Sequence, residues 1–402
     1  MTWEADEPWS QPICCSCCAV RQVGDTLRTS EARREPMPGR ARARSLAITM
    51  VTRRKPTEIG GVERVVTSVM EQLAELHPDW RVDAVSAFLH GGWVGRVAGL
   101  SDMIASLRLG WRLRNNTADV IFLHCPECFW GIQLLRKKSR NGPPIVAVWH
   151  GAGPVRFLIL RKPGHPLAWV LAWLRTIGEI RALSADGHVA VHSEIVNDLR
   201  FMYGFTRPVT VIGNAVDPKV LDYLSRTERT DECTGLVALW LGQIRYGKGL
   251  DVALAAVKEA RKELPDLRLI VAGVPAEKPV DGVEWRGVLA PSEVAEIYRR
   301  ADLLIFPSRY EAFPLVVIEA MAAGLPVIVS DKVPSGIITD GRNGKVVKGH
   351  NPSQYVEALR LLADPQIRAR ISQANVDDAR LFGIALTAAD YAAVAVSFAG
   401  IQ

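Results

Sequence analysis

From Ser45 onward, short apolar runs alternate with stretches whose apolar residues recur every three or four positions, a pattern that predicts parallel strands joined by amphipathic helices. SLAITMV, RVDAVSAF, DVIFLH, PIVAVWH, GHVAVH and PVTVIG read as strands of a first sheet, and LVALWLG, LRLIVAG, VEWRGVL, DLLIFPS and LPVIVSD as strands of a second. The predicted class is α/β with two Rossmann-like domains. The turn sequence VIGNAVDP separates residues 45–213, the first domain, from residues 214–380, the second. Residues 381–402 predict an apolar helix that docks back towards the first domain. Residues 1–44 carry neither periodicity and read as a disordered extension without the order of a secretory signal.

Composition agrees with that division. At 402 residues the chain exceeds what one hydrophobic core usually serves, and 48% hydrophobic with 23% charged residues is a globular balance. Apolar runs such as PLAWVLAWL fall short of the ~18–20 residues that span a bilayer, so no transmembrane helix is predicted. A net charge of +6 favours an anionic partner, be it nucleic acid, a phosphorylated substrate or a membrane surface. Seven unevenly clustered cysteines do not form a disulfide framework and fit a reducing cytoplasm. CCSCC at 14–18 lacks partners at metal-binding spacing.

Chemistry concentrates in three places. After the first strand, Gly60 and Gly61 precede a helical pattern, so backbone amides at a helix start can approach an anion; a tight turn without ligand uses the same residues. In LWLGQIRYGKGLDV, Arg245 and Lys248 lie between a strand and a helix, where two cations suit a diphosphate. That stretch nearly spells a triphosphate-binding loop, but Gly249 stands where such a loop requires Ser or Thr. In IFPSRYEAFPLVVIEAMAAGLPVIVSD, Glu311 occupies a loop, Pro314 opens a helix, Glu319 lies about one and a half turns along it and Gly324 ends it. Two carboxylates thus flank one anion-binding helix start, able to accept hydrogen bonds from sugar hydroxyls.

With these segments in order, the chain resembles the retaining glycosyltransferases of family 4, which have the GT-B fold: two Rossmann-like domains facing each other across a cleft. The resemblance covers roughly residues 45–400. It is carried by IGGVERV, HSEIVNDLRFMYGF with VIGNAVD, LWLGQIRYGKG, and EAFPLVVIEAMAAGLPVIVSD with its two Glu eight apart. It implies that Glu319 binds the ribose and Glu311 the donor sugar. The amides of Phe313, Leu315 and Val316 would hold the diphosphate, which Lys248 neutralises. His150, at the end of VAVWH, would face the sugar; Gly61 would cover the phosphates, and the backbone from Arg286 to Leu289 would contact the base. Retention, with the leaving phosphate as base, is also implied. The expected partners are a nucleotide-sugar donor and a glycan, lipid-linked or small-molecule acceptor, not a nucleic acid. Cell-surface polysaccharide or glycolipid synthesis is the expected role, and the expected location is the cytoplasm.

Two departures stand out: Gln243 replaces a common family Arg, leaving Arg245 as its substitute, and Ser335 with Gly336 replaces a frequent Glu. No Asp-x-Asp sequence follows a strand, so no metal or other cofactor is expected, and positive charge falls to Lys248, Arg245 and a helix dipole. CPEC at 125–128 reads as ordinary thiols rather than a redox pair. Apolar and basic residues interleave over 93–116 and 154–183, a surface suited to peripheral association with an anionic membrane, or to solvated helices with buried aromatics. The alternatives are a GT-B sugar-nucleotide epimerase, a non-catalytic nucleotide-sugar-binding protein and a phosphate-loop hydrolase.

Overall fold

A computed structural model describes residues 45–53, 60–87, 98–136, 142–152, 176–216, 218, 221, 224, 235–243 and 246–400, which belong to the compact unit Ser45–Gln402. The proposed N-terminal extension and Arg245 lie outside the described residues, as do 93–97 and 154–175 of the two basic stretches.

Two six-stranded parallel sheets form the frame. The first comprises β1 (Ala47–Thr52), β2 (Arg81–Ser86), β3 (Val120–Leu123), β4 (Ile145–Trp149), β5 (Gly187–Ala190) and β6 (Thr210–Val211), in the order β2-β1-β3-β4-β5-β6. The second comprises β7 (Val237–Leu241), β8 (Arg268–Ala272), β9 (Val283–Gly287), β10 (Leu303–Phe306), β11 (Val327–Ser330) and β12 (Lys345–Val347), in the order β12-β11-β10-β7-β8-β9. Strands β3, β4, β7, β10 and β11 are buried along their whole length, because helices cover both faces of a parallel sheet. This burial explains their continuous apolar runs. Strand β12 went unpredicted because KVV is three residues long and only Val347 is fully buried.

In each sheet, strand order reverses once beside the first strand, between β1 and β3 and between β7 and β10. Such a reversal splays the loops at the strands' carboxyl ends and opens a crevice for ligand. The glycine pair follows β1, His124 follows β3, the Lys248 loop follows β7 and the Glu311 loop follows β10. The glycine pair, the Lys248 loop and the Glu311 loop therefore emerge at switch points, whereas His150 follows the neighbouring β4 and Arg286–Leu289 the edge strand β9.

The helices that serve the crevice are α1 (Gly61–Leu76), α2 (Ala98–Leu113), α3 (Phe129–Arg136), α4 (Ser193–Tyr203), α5 (Leu250–Ala260), α6 (Pro291–Arg300) and α7 (Leu315–Ala322). After the second sheet come α8 (Pro352–Leu361), which packs into its core through Tyr355 and Leu359, α9 (Pro365–Ala379) and α10 (Ile384–Phe398). By length and apolar composition alone, residues 365–398 could cross a membrane. In the fold, a short 3-10 turn at Arg380–Phe382 and the extended Gly383 separate α9 from α10. The α10 face of Ala388, Tyr391 and Ala395 packs into the first sheet's core with Val65, Val69 and Phe122. Thr387 Oγ1 donates to the Gly213 carbonyl at 3.1 Å, and the Val216 amide to the Phe382 carbonyl at 3.0 Å. The chain thus crosses back beside the junction it used to leave the first sheet.

Candidate active site

The second sheet holds most of the candidate side chains. Trp240, fully buried in β7, donates from Nε1 to the Lys248 carbonyl at 3.0 Å and anchors the loop that carries this lysine. Gly249, at φ +69°, closes the loop before α5; a Cβ there would lie 1.9 Å from the Pro307 carbonyl oxygen. A Ser or Thr, which a triphosphate-binding loop requires at that position, has no room there. The Lys248 ammonium pairs with Glu311 Oε1, and the Ser308 hydroxyl lies 2.9 Å from the same oxygen. Glu311 is almost enclosed, its side chain 6% exposed. Ser308 is held in turn, since its carbonyl accepts from Ser330 Oγ at 2.5 Å.

Helix α7 begins as the Pro314 signal predicts, with Pro314 as its N-cap residue, and Gly324 follows its end at φ +72°. The Pro314 carbonyl accepts from Val317 and Ile318, so the amides of Leu315 and Val316 stand at the open end of the helix, where no intrahelical acceptor exists. Phe313 is half-buried and packs against the cores of both sheets. Gly213, which ends the first sheet's territory, would bring a Cβ within 3.4 Å of the Phe313 ring. Phe313 therefore lies in the seam between the sheets.

Glu319 lies one turn further on, its side chain 2% exposed. Its Oε2 accepts from the Tyr298 hydroxyl at 3.0 Å, and its Oε1 pairs at 3.0 Å with Arg64 of α1, across the crevice. A carboxylate this buried needs such partners to stay charged. Burial and the neighbouring Glu319 charge push the Tyr298 phenol well above its ordinary range, so it remains a hydrogen-bond donor. Arg64, Tyr298 and Ser308 did not stand out in the sequence: each is an ordinary residue within a strand-turn-helix pattern, and only the tertiary fold aims it at a carboxylate.

The first sheet contributes Gly61 and His150. Gly61 opens α1, and a Cβ on it would meet Leu315 Cδ1 at 3.2 Å, so the starts of α1 and α7 confront each other. His150, 9% exposed, ends β4 with its Nε2 3.0 Å from Nδ1 of His124. Burial, then the His150 charge, holds His124 well below the ordinary histidine range. The departure at Ser335 also has an explanation: Glu194 of α4 accepts the Ser335 amide at 2.8 Å, and His192 Nε2 lies 3.1 Å from the Ser335 carbonyl. The carboxylate at this point comes from the other domain.

Cys125 and Cys128 are both buried and free. A hydrogen bond from the Cys125 thiol to Cys128, followed by burial, raises the Cys125 pKa, which opposes the thiolate that redox exchange requires. Among the described residues no three His, Cys, Asp or Glu side chains converge.

A family profile described as Glycosyl transferases group 1 matches residues 235–364, and one described as Glycosyltransferase Family 4 matches residues 59–220. The chain belongs to the family 4, group 1 glycosyltransferases. It is similar to a D-inositol 3-phosphate glycosyltransferase of Streptomyces avermitilis, at 31% identity over 61% of this chain and 58% of that relative. The match thus spans less than two thirds of that relative's length. Sucrose-phosphate synthase from Thermosynechococcus elongatus shares the fold at a TM-score of 0.72 and 18% identity, over 89% of this chain and 100% of that one. HepE of Anabaena, solved with UDP and glucose, does so at 0.63 and 16%, over 88% and 100%. Both are likenesses of the GT-B fold.

Proposed function

We propose that this chain transfers a sugar from a nucleoside-diphosphate sugar to a hydroxyl acceptor, with the donor on the second sheet and the acceptor on the first. The observation that carries the reading is the grouping at one switch point of Lys248 with Glu311, the open amides of α7, and buried Glu319. The amides and Lys248 suit the diphosphate, Glu319 the ribose and Glu311 the transferred sugar. His150 would face that sugar from the first sheet. Positive charge from side chains and helix ends supports transfer without a metal, and the family supports retention of anomeric configuration. The named relative supports a small polyol phosphate as the acceptor class; the proposed setting is cell-surface polysaccharide or glycolipid synthesis.

Association with an anionic membrane from the cytoplasmic side is part of the same proposal. It is supported by α2, where Leu107 and Trp111 are exposed and the Arg114 guanidinium lies 4.7 Å from the Trp111 ring centre. A thermal-shift screen with UDP-, GDP- and ADP-sugars tests the donor, since a ligand that binds only the folded state raises Tm. Product analysis with and without an acceptor tests the reaction. Conversion of donor alone into a second sugar nucleotide would show an epimerase instead.

A further inference from the structure

We propose that Arg64 is the second cation of the donor site, delivered to the diphosphate by the first domain; this rests on the donor reading above. Arg64 lies in the first turn of α1, the helix whose start at Gly61 abuts Leu315 at the start of α7. Its guanidinium pairs with Glu319 at 3.0 Å, while its side chain remains 28% exposed.

Charge balance gives the reason. Lys248 is matched by Glu311, and Gln243 brings no charge. Lys248 and Arg64 together cancel Glu311 and Glu319; without Arg64 these paired side chains sum to a negative charge. The facing starts of α1 and α7 supply about half a positive charge each, which cancels that excess and leaves none for a diphosphate. Donor binding removes the conflict by exchange. The ribose hydroxyls donate to Glu319, which keeps partners while it is buried, and the guanidinium turns to the phosphate oxygens that its planar fork fits. Arg64 thus holds Glu319 ready in the empty site and neutralises phosphate in the filled one.

The test is calorimetric titration of the full chain and of Arg64→Ala, Arg64→Lys, Arg245→Ala, Glu319→Gln and the double variant Arg64→Ala/Glu319→Gln, with melting curves to show that each folds. The ligands are UDP, GDP and ADP and their nucleosides, and the readout is the preference for diphosphate over nucleoside. Arg64→Ala should cut this preference about ten- to a hundredfold, as loss of a charged hydrogen-bond partner does, and Arg64→Lys should restore part of it. The same fall should appear on the Glu319→Gln background, where no bare carboxylate remains. An unchanged preference in Arg64→Ala, with both ligands shifted equally, overturns the proposal and leaves Arg64 as a clamp on Glu319. A fall in Arg245→Ala alone also overturns it. If the unaltered chain binds none of the three diphosphates, the donor reading itself fails, a result distinct from either.

Discussion

His124 Nδ1 lies 3.0 Å from His150 Nε2, while His124 Nε2 is buried with no hydrogen-bond partner among the described residues. Burial keeps the His124 ring neutral, so it carries a single N–H. A proton on Nε2 would bury an unmet donor; a proton on Nδ1 donates to His150. While both rings are neutral, His124 thus fixes the tautomer of His150, whose own proton is then left on Nδ1. Replacing His124 by Leu should lower kcat of sugar transfer about 10- to 100-fold while nucleotide affinity stays unchanged. Asn, whose amide can stand in for Nδ1–H, should recover most of it. Full activity in the Leu variant would show that His150 needs no such partner.

Gly249 permits both a left-handed turn and the approach of the Pro307 carbonyl. Gly249→Ala should cost about 3 kcal/mol or more, because the backbone strain and the 1.9 Å overlap must both be relieved by moving a strand end. The same movement would displace Lys248, one residue earlier. Chemical denaturation with a parallel nucleotide titration checks both effects; a stable variant with normal binding would mean that the loop tolerates another conformation.

Glu194 and His192 of the first domain hold the Ser335 backbone of the second by contacts of 2.8 and 3.1 Å. Glu194→Ala should leave the Ser335 amide unpaired and loosen this bridge, raising KM for the donor a few-fold with little change in melting temperature, since the site is at the surface. Small-angle scattering with and without nucleotide would detect the wider opening. Identical profiles and kinetics would assign the pair no part in closure.

Much of this was legible in the sequence, for a physical reason. Strands buried on both faces, such as VALWL and LLIF, must be apolar throughout, and helix signals such as Pro314 and Gly324 act locally, so composition and spacing reveal both. Glu311, Lys248 and Glu319 were legible because they sit at fixed offsets within those local units. Strand β12 was not, since three residues that are mostly half-exposed leave little pattern. Contacts between segments distant in sequence were illegible altogether. Arg64 on Glu319, Glu194 on Ser335 and the His124–His150 pair join residues 26 to 255 positions apart, and no local periodicity records them. Arg245 lies outside the described residues, so the sequence-based substitute for the missing phosphate cation is an open comparison with Arg64.

His188 gives a pH dependence of known sign. Burial beside Phe205, then the Arg207 charge, lowers it from 6.5 to about 4, against the opposing Ala185 carbonyl and Asp186. Between those values the unfolded chain binds a proton that the folded chain refuses, so stability falls as pH drops through 6.5 towards 4. Urea denaturation should show a loss on the order of 2–3 kcal/mol between pH 7 and 4.5 from this residue, taking about 1.4 kcal/mol per pH unit. His188→Phe should remove that share and leave the part due to His124, which has the same sign. Parallel pH curves for the variant and the original chain would refute the assignment.

Lys248 and Glu319 occupy different halves of the proposed donor, and their variants should separate accordingly. Lys248→Ala removes the counter-charge of a carboxylate whose side chain is only 6% exposed, so it weakens the fold locally as well as the hold on the diphosphate. Glu319→Gln keeps the shape and one acceptor, and costs only the charged part of the ribose contact. Calorimetry should show about a hundredfold loss of nucleoside diphosphate affinity for Lys248→Ala and about tenfold for Glu319→Gln, with nucleoside affinity falling only in the latter. A Lys248→Ala chain that binds diphosphate and nucleoside as the original does would place the phosphates away from the α7 start. Equal losses for both ligands in both variants would instead indicate a general distortion of the crevice.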